Sequence, residues 1–144
     1  MTKDADTLAA LAQIEDAQAA LRRMLVKVKP SRLSLRPPSG EWSPMENVRH
    51  LIFAEQHHFG EFLPRGFRRS SAGVTPPNRT GERRLNSVGS DPATTVDEVF
   101  EAWANVHAVV RARCLESGDL ARKLEGNLSH VNLHIRAIER VLGV

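Results

Sequence analysis

The chain has 144 residues, carries 20 Lys and Arg against 17 Asp and Glu for a net charge of +3, and is 41% hydrophobic. That describes one folded domain, 1–144, because a chain of this size buries roughly 70% of its extended surface around a single core and is too apolar for a disordered tail. No run approaches the ~18 apolar residues of a membrane span, and the start, Met1-Thr2-Lys3-Asp4, lacks the apolar stretch of a signal peptide. A cytoplasmic protein with no membrane partner is expected. The single cysteine, Cys114, excludes an internal disulfide or a thiol-rich zinc cage, leaving any metal to histidines and carboxylates.

Leu8, Leu11, Ile14, Leu21, Leu25 and Val28 recur with helical spacing and predict a first helix over about 5–28, stopped by Pro30. Ser43-Pro44-Met45-Glu46 spells a capping box with proline at the first helical position, where its missing N–H costs nothing. A second helix should run from Pro44 to about Leu63. Residues 64–94 then hold Arg65, Arg68, Arg69, Arg79, Arg83 and Arg84 against Glu82 and Asp91, with prolines and glycines too dense for a long helix or strand. Thr95 and Glu98 repeat the capping box, and Val96, Val99, Phe100, Trp103, Val106 and Val110 carry a third helix to Gly118. Asn127 can cap a fourth, with Val131, Ile135, Ile138 and Leu142 facing inward. No strand-length alternation appears. The expected fold is all-α, a four-helix bundle in up-down-down-up order. The arginine-rich segment crosses between helices two and three, and ten to fourteen residues join each remaining consecutive pair as antiparallel neighbours.

Of the six histidines, His130 and His134 stand four apart on the fourth helix, a spacing that brings the two Cβ atoms to roughly 6 Å and lets both imidazoles reach one ion. A third ligand must come from another helix. His50 is best placed, because an antiparallel second helix sets it at a depth similar to His134 if the fourth helix begins near Asn127. Without a metal, the same residues read as an exposed His130 in a first helical turn and a core His134 bonded to a backbone carbonyl. His57 is seven residues from His50, ~10.5 Å along the axis, too far to share an ion and better suited to a cavity wall. Glu55 and His58 form one Glu-x-x-His, but a di-iron carboxylate bundle needs a second such motif, and the chain has none. His107 shares the inward row of Trp103, Val110 and Cys114 and should be satisfied in the core, with Cys114 a buried, inert thiol.

Gly40 to Leu51, GEWSPMENVRHL, followed some eighty residues later by Asn127 to Leu142, NLSHVNLHIRAIERVL, resembles the DinB-like, or YfiT-type, family of small metal-binding four-helix proteins. The resemblance implies His50 as the first metal ligand, at the end of the W-S-x-x-E-x-x-x-H-L pattern matched by Trp42, Ser43, Glu46, His50 and Leu51. It implies His130 and His134, the His-x-x-x-His of the last helix, as the other two. Family members often follow the final histidine with a small residue and Gln, whereas this chain has Ile135-Arg136.

Three neutral imidazoles suit Zn²⁺ or Ni²⁺, and a fourth position left to water or substrate is the arrangement of a catalytic rather than a structural site. The resemblance implies a choice among thiol-dependent transferases, isomerases using a low-molecular-weight thiol, and members with no established activity. The expected function is that of a metal-dependent transferase or hydrolase, with a low-molecular-weight thiol as candidate cosubstrate. Glu55 or His57 is the candidate proton acceptor, and Arg79, Arg83 and Arg84 are candidates to receive an anionic small-molecule substrate or cofactor. The alternative is a non-enzymatic metal- or ligand-binding, stress-related protein. The small net charge and the absence of a helix-turn-helix pattern argue against a nucleic-acid partner. The resemblance also makes a homodimer plausible.

Overall fold

A computed structural model of the chain describes residues 2–75 and 95–144. Among them are five α-helices and no strand: α1 (Thr2–Leu25), α2 (Pro30–Leu33), α3 (Pro44–His58), α4 (Val96–Ser117) and α5 (Ala121–Leu142), with a 3-10 turn at Gly60–Phe62. Both expected capping boxes form. The Ser43 hydroxyl accepts from the Glu46 N–H at 3.1 Å while the Glu46 carboxylate accepts from the Ser43 N–H at 2.8 Å, and Thr95 and Glu98 repeat the exchange at the start of α4. Gly118, at φ +69°, ends α4 in the left-handed conformation that glycine adopts without penalty.

Four boundaries depart from expectation. Pro30 does not stop α1, which has already ended: as the first residue of α2 it opens a one-turn helix. α1 itself runs three residues further towards the N-terminus and ends at Leu25 rather than Val28. α3 ends at His58 instead of reaching Leu63, with Phe59 donating its N–H to the Glu55 carbonyl and Gly60 starting the 3-10 turn. The largest miss is α5, which begins at Ala121; Asn127 lies inside the helix, buried, and caps nothing. Leu124 and Leu120 extend the stripe of Val131 back by two and three turns, and their burial outweighs the capping preference of asparagine.

The inward stripes meet in one core that includes Leu11, Ile14, Leu21 and Leu25 of α1, Val48, Leu51 and Ile52 of α3, Trp103 and Val110 of α4, and Leu124, Val131 and Ile138 of α5. Burial of each such side chain is worth about 1.5–3 kcal/mol against exposure, which is what holds the helices together. Leu8, expected in the first stripe, is 50% exposed. The chief packing pairs are α1 with α4 and α5, and α3 with the same two helices, rather than the consecutive helices expected as neighbours. Only Gly118, Asp119 and Leu120 separate α4 from α5, not ten residues. Contacts of α4 with α3 and the 3-10 turn that follows it rise together in sequence, Glu55 with Trp103 and then Phe62 with Arg113. Along α1 and α4 they run in opposite senses, Glu15 with Arg111 and Arg22 with Asp97, as they do along α3 and α5, Asn47 with His134 and His58 with Asn127.

The segment after α3 doubles back along that helix. Arg49 donates to the Ala72 carbonyl at 2.9 Å, and Gly73 passes so close that a Cβ there would lie 2.9 Å from the Phe53 backbone nitrogen, so only glycine fits. Residues 76–94 lie outside the described residues, and with them Arg79, Arg83, Arg84 and most of the expected crossover. No helix among the described residues is long and apolar enough to cross a membrane.

Candidate metal centre

α3 and α5 bring three histidines to one point. One ligand atom from each of His50, His130 and His134 lies within 4.8 Å of the others, and no further acid, cysteine or histidine joins the group among the described residues. The ring centroids of His130 and His134 are 4.5 Å apart, and that of His50 is 5.3 Å and 5.0 Å from them. The i, i+4 step on α5 supplies two rings, and the antiparallel course of α3 supplies the third. The expected reason for the depth match was partly wrong, since α5 starts six residues earlier than Asn127, but the sense of the two helices still carries His50 to His134.

The neighbours of the three rings fix their chemistry. His134 donates its Nδ1–H to the Asn47 side-chain oxygen at 2.7 Å, not to a backbone carbonyl. Asn47 is itself held by donating to the Ser43 carbonyl at 3.0 Å, which leaves its oxygen to the histidine. This pins the His134 tautomer and frees Nε2 as a lone pair, the role that an outer partner plays for a metal-binding histidine. That Nε2 faces His130 Nε2 at 3.1 Å. Two nitrogens bound at ~2.05 Å around a tetrahedral ion stand about 3.3 Å apart, so the spacing is already close to that of a shared ligand set. His50 Nδ1 and His130 Nδ1 are buried with no hydrogen-bond partner, a cost that a bound cation at this cluster would offset for a nitrogen serving as ligand.

Electrostatics agree. Burial and the charge of neighbouring histidines push His50 and His134 down to about 4, and burial lowers His130 in the same way with His58 beside it. All three are therefore neutral bases at pH 7. Trp42 stacks on His134 at 6.0 Å with its ring inclined by 13°, and its centroid is 5.0 Å from that of His50. Trp42 is set in place by the start of α3, where the buried Glu46 carboxylate also takes a bidentate pair from Arg36, both bonds at 2.8 Å. Donor type, protonation state and unspent nitrogens all fit a divalent ion with an open coordination position.

The candidate proton acceptors fall elsewhere. Glu55 is fully buried and accepts from Trp103 Nε1 at 3.0 Å, His107 Nδ1 at 2.8 Å and the Asn127 amide at 3.5 Å. It is five residues after His50 and so points some 140° away from it around α3. His57 is exposed and stacks on Phe53 at 5.8 Å. The histidine that does approach the cluster is His58, whose ring centroid is 5.7 Å from that of His130 and whose Nδ1 is 3.4 Å from the Asn127 oxygen. His107 is buried as expected, but its partners were not foreseen: Glu55 on one nitrogen and Glu15 on the other, each at 2.8 Å, with Arg111 closing on Glu15 at 2.6 Å. Burial opposes charge on His107, yet the two carboxylates, Glu55 first, outweigh it and raise its pKa. Cys114 is buried and pushed up to about 11 by burial and the Glu55 charge, consistent with an inert thiol.

Asn47 was not singled out from sequence, although it stands three residues before His50, one helical turn along the same segment. A family model describing the DinB superfamily matches residues 13–138. The chain belongs to the DinB superfamily. The match spans α3 and α5 as far as Ile138 and so takes in all three histidines and the Asn47 that orients one of them. No curated protein and no solved structure gives a significant match to this DinB-superfamily chain.

Proposed function

We propose that this DinB-superfamily protein holds a divalent first-row ion, Zn²⁺ or Ni²⁺, on His50, His130 and His134 and uses it as a metal-dependent transferase acting on a small molecule with a low-molecular-weight thiol. The observation that carries this is the convergence of three neutral imidazoles from two helices, His134 oriented by Asn47 and His50 and His130 each with a buried ring nitrogen that has no hydrogen-bond partner, with no fourth protein ligand beside them among the described residues. A bound ion would supply Lewis acidity, enough to bring the pKa of a thiol or of water towards neutrality. The chain's own residues do the rest. Asn47 keeps the His134 lone pair aimed inward, Trp42 covers one side of the rings, and burial keeps all three imidazoles free of protons at working pH. The sense of the interhelical contacts supports an up-down-down-up order within a single domain, which is what sets His50 opposite the His130 and His134 pair.

A second reading, a non-enzymatic metal- or ligand-binding protein, is favoured by one observation: neither Glu55, spent on three donors, nor the exposed His57 faces the cluster as a proton acceptor. Steady turnover separates the two. Zinc- or nickel-loaded protein should transfer a physiological thiol to an activated electrophile, and His134→Ala should abolish this while leaving the helical signal intact. Stoichiometric metal binding with no turnover across a panel of thiols would instead support the binding protein.

A further inference from the structure

A groove of about 710 Å³ runs along the outer flank of α5 beside the histidine cluster, bounded by His134, Trp42, Ala137, Val141 and Arg136. Its volume lies within the range of sites that enclose a mid-sized organic molecule. Helical geometry sets its polarity. Residues 134 and 136 point roughly 160° apart, while 133, 137, 140 and 141 fall on the arc between them. One edge of the groove is therefore a ring of the metal cluster and the opposite edge is a guanidinium, with small and aliphatic side chains as the floor. Arg140, one turn beyond Arg136, is already neutralised, donating to Glu41 at 3.0 Å and 3.1 Å. Arg136 makes no hydrogen bond or ion pair with any described residue. At the other edge the three imidazoles contribute no negative charge, so an ion bound there keeps its own. Glu41 also lines the groove but is spent on Arg140, so apolar surface beside Arg136, with no negative charge from the histidine edge, calls for a ligand with an apolar body and an anionic group.

We infer that this groove binds a small organic carboxylate, with the carboxylate on Arg136 and the apolar body over Ala137 and Val141, and that Arg136 is a specificity-determining residue for the substrate. The role in substrate choice rests on the transferase reading above; the binding itself does not. Arg136 also stands where this chain has Ile135-Arg136 in place of the small residue and Gln that often follow the last histidine in similar proteins. Among the described residues it is the cation on this groove that no neighbour neutralises; Arg79, Arg83 and Arg84 lie outside them.

The two tryptophans provide the readout, since Trp42 lines the groove while the Trp103 indole is bonded to Glu55 in the core. Metal-free and zinc-loaded protein, labelled with nitrogen-15, is titrated with 4-phenylbutyrate and, separately, with its neutral amide. The Trp42 indole signal should move and that of Trp103 stay, with the carboxylate binding about three- to fivefold more tightly than the amide, as an exposed charge pair allows. In the metal-free protein Arg136→Gln should make the two affinities equal, and Ala137→Trp should suppress binding of both probes. A wild type that does not discriminate, a preference that survives in metal-free Arg136→Gln, or a Trp42 signal that neither probe moves would overturn the inference. Should the wild type retain no zinc yet keep an Arg136-dependent preference in its metal-free form, the metal reading falls and the groove stands. One zinc per chain with no carboxylate preference gives the reverse.

Discussion

His134 and His107 are both shielded histidines facing the interior of the same helical assembly, and they differ in what meets their ring nitrogens. His107 lies between Glu55 and Glu15, so both nitrogens must donate and the ring is held as a cation inside a closed circuit that Arg111 completes. His134 meets only neutral groups, an amide oxygen on one nitrogen and another imidazole on the other, and is held as a free base. Burial pushes both towards neutrality, and the presence or absence of carboxylates decides the outcome. The first arrangement spends every polar atom on the fold; the second leaves lone pairs converging and unspent. The two are linked, since Asn127 donates to Glu55 and accepts from His58, which lies against His130.

If that contrast is right, breaking each region should have a different readout. Glu55→Ala takes one of its two carboxylates from His107 and leaves the Trp103 and Asn127 donors unpaired, and should cost about 3–5 kcal/mol, seen as a fall of roughly 10 °C or more in the thermal midpoint of the metal-free protein. His130→Ala should move that midpoint by less than about 1 kcal/mol equivalent, because it removes a ring that the metal-free fold leaves partly unsatisfied, yet it should weaken zinc binding more than about a hundredfold. Asn47→Ala, which frees the His134 ring to turn, should weaken zinc binding about ten- to hundredfold in a competition titration while the ligand count stays the same.

The pH dependence sharpens the comparison, since the two regions carry opposite signs. His50 and His134 have pKa values of about 4 when folded against about 6.5 when unfolded, so between those values the unfolded chain binds more protons and their contribution to stability is lost on acidification. The pKa of His107 is raised in the fold, so its contribution is complete below about 6.5 and is lost as pH rises through the folded value. A proton NMR titration of metal-free protein should find His50 and His134 changing near pH 4 and His107 above its ordinary range. His107→Gln should remove the loss on the alkaline side only.

Much of the site was legible in the sequence because its signals are local: a capping box places the start of α3, and a four-residue step places two rings on one face of α5. Family resemblance joined the two segments. What was not legible depends on contacts between distant residues. Nothing near Glu55 or His107 announces Glu15, 92 residues before His107, as the partner that makes that histidine a cation. Asn127 looked like a cap because a short polar side chain preceding an apolar stripe usually is one; its buried place between Glu55 and His58 depends on where α3 lies. The stop of α3 at His58 was missed for a related reason: the apolar run through Leu63 persists, but after Phe59 it packs as a 3-10 turn. Arg136 was noted only as a departure, and its place on a groove edge becomes visible once Trp42, just before α3, closes the other side.

The central claim is that His50, His130 and His134 form one metal site, and metal content joined to ligand identity tests it most directly. Protein prepared without a histidine tag, stripped by chelator and reloaded with zinc, should hold about one ion per chain, with X-ray absorption reporting three imidazole nitrogens around it, and alanine at any of the three positions should abolish that stoichiometry. A protein that binds no zinc, or whose bound zinc persists unchanged when His50, His130 and His134 are replaced in turn, would contradict it.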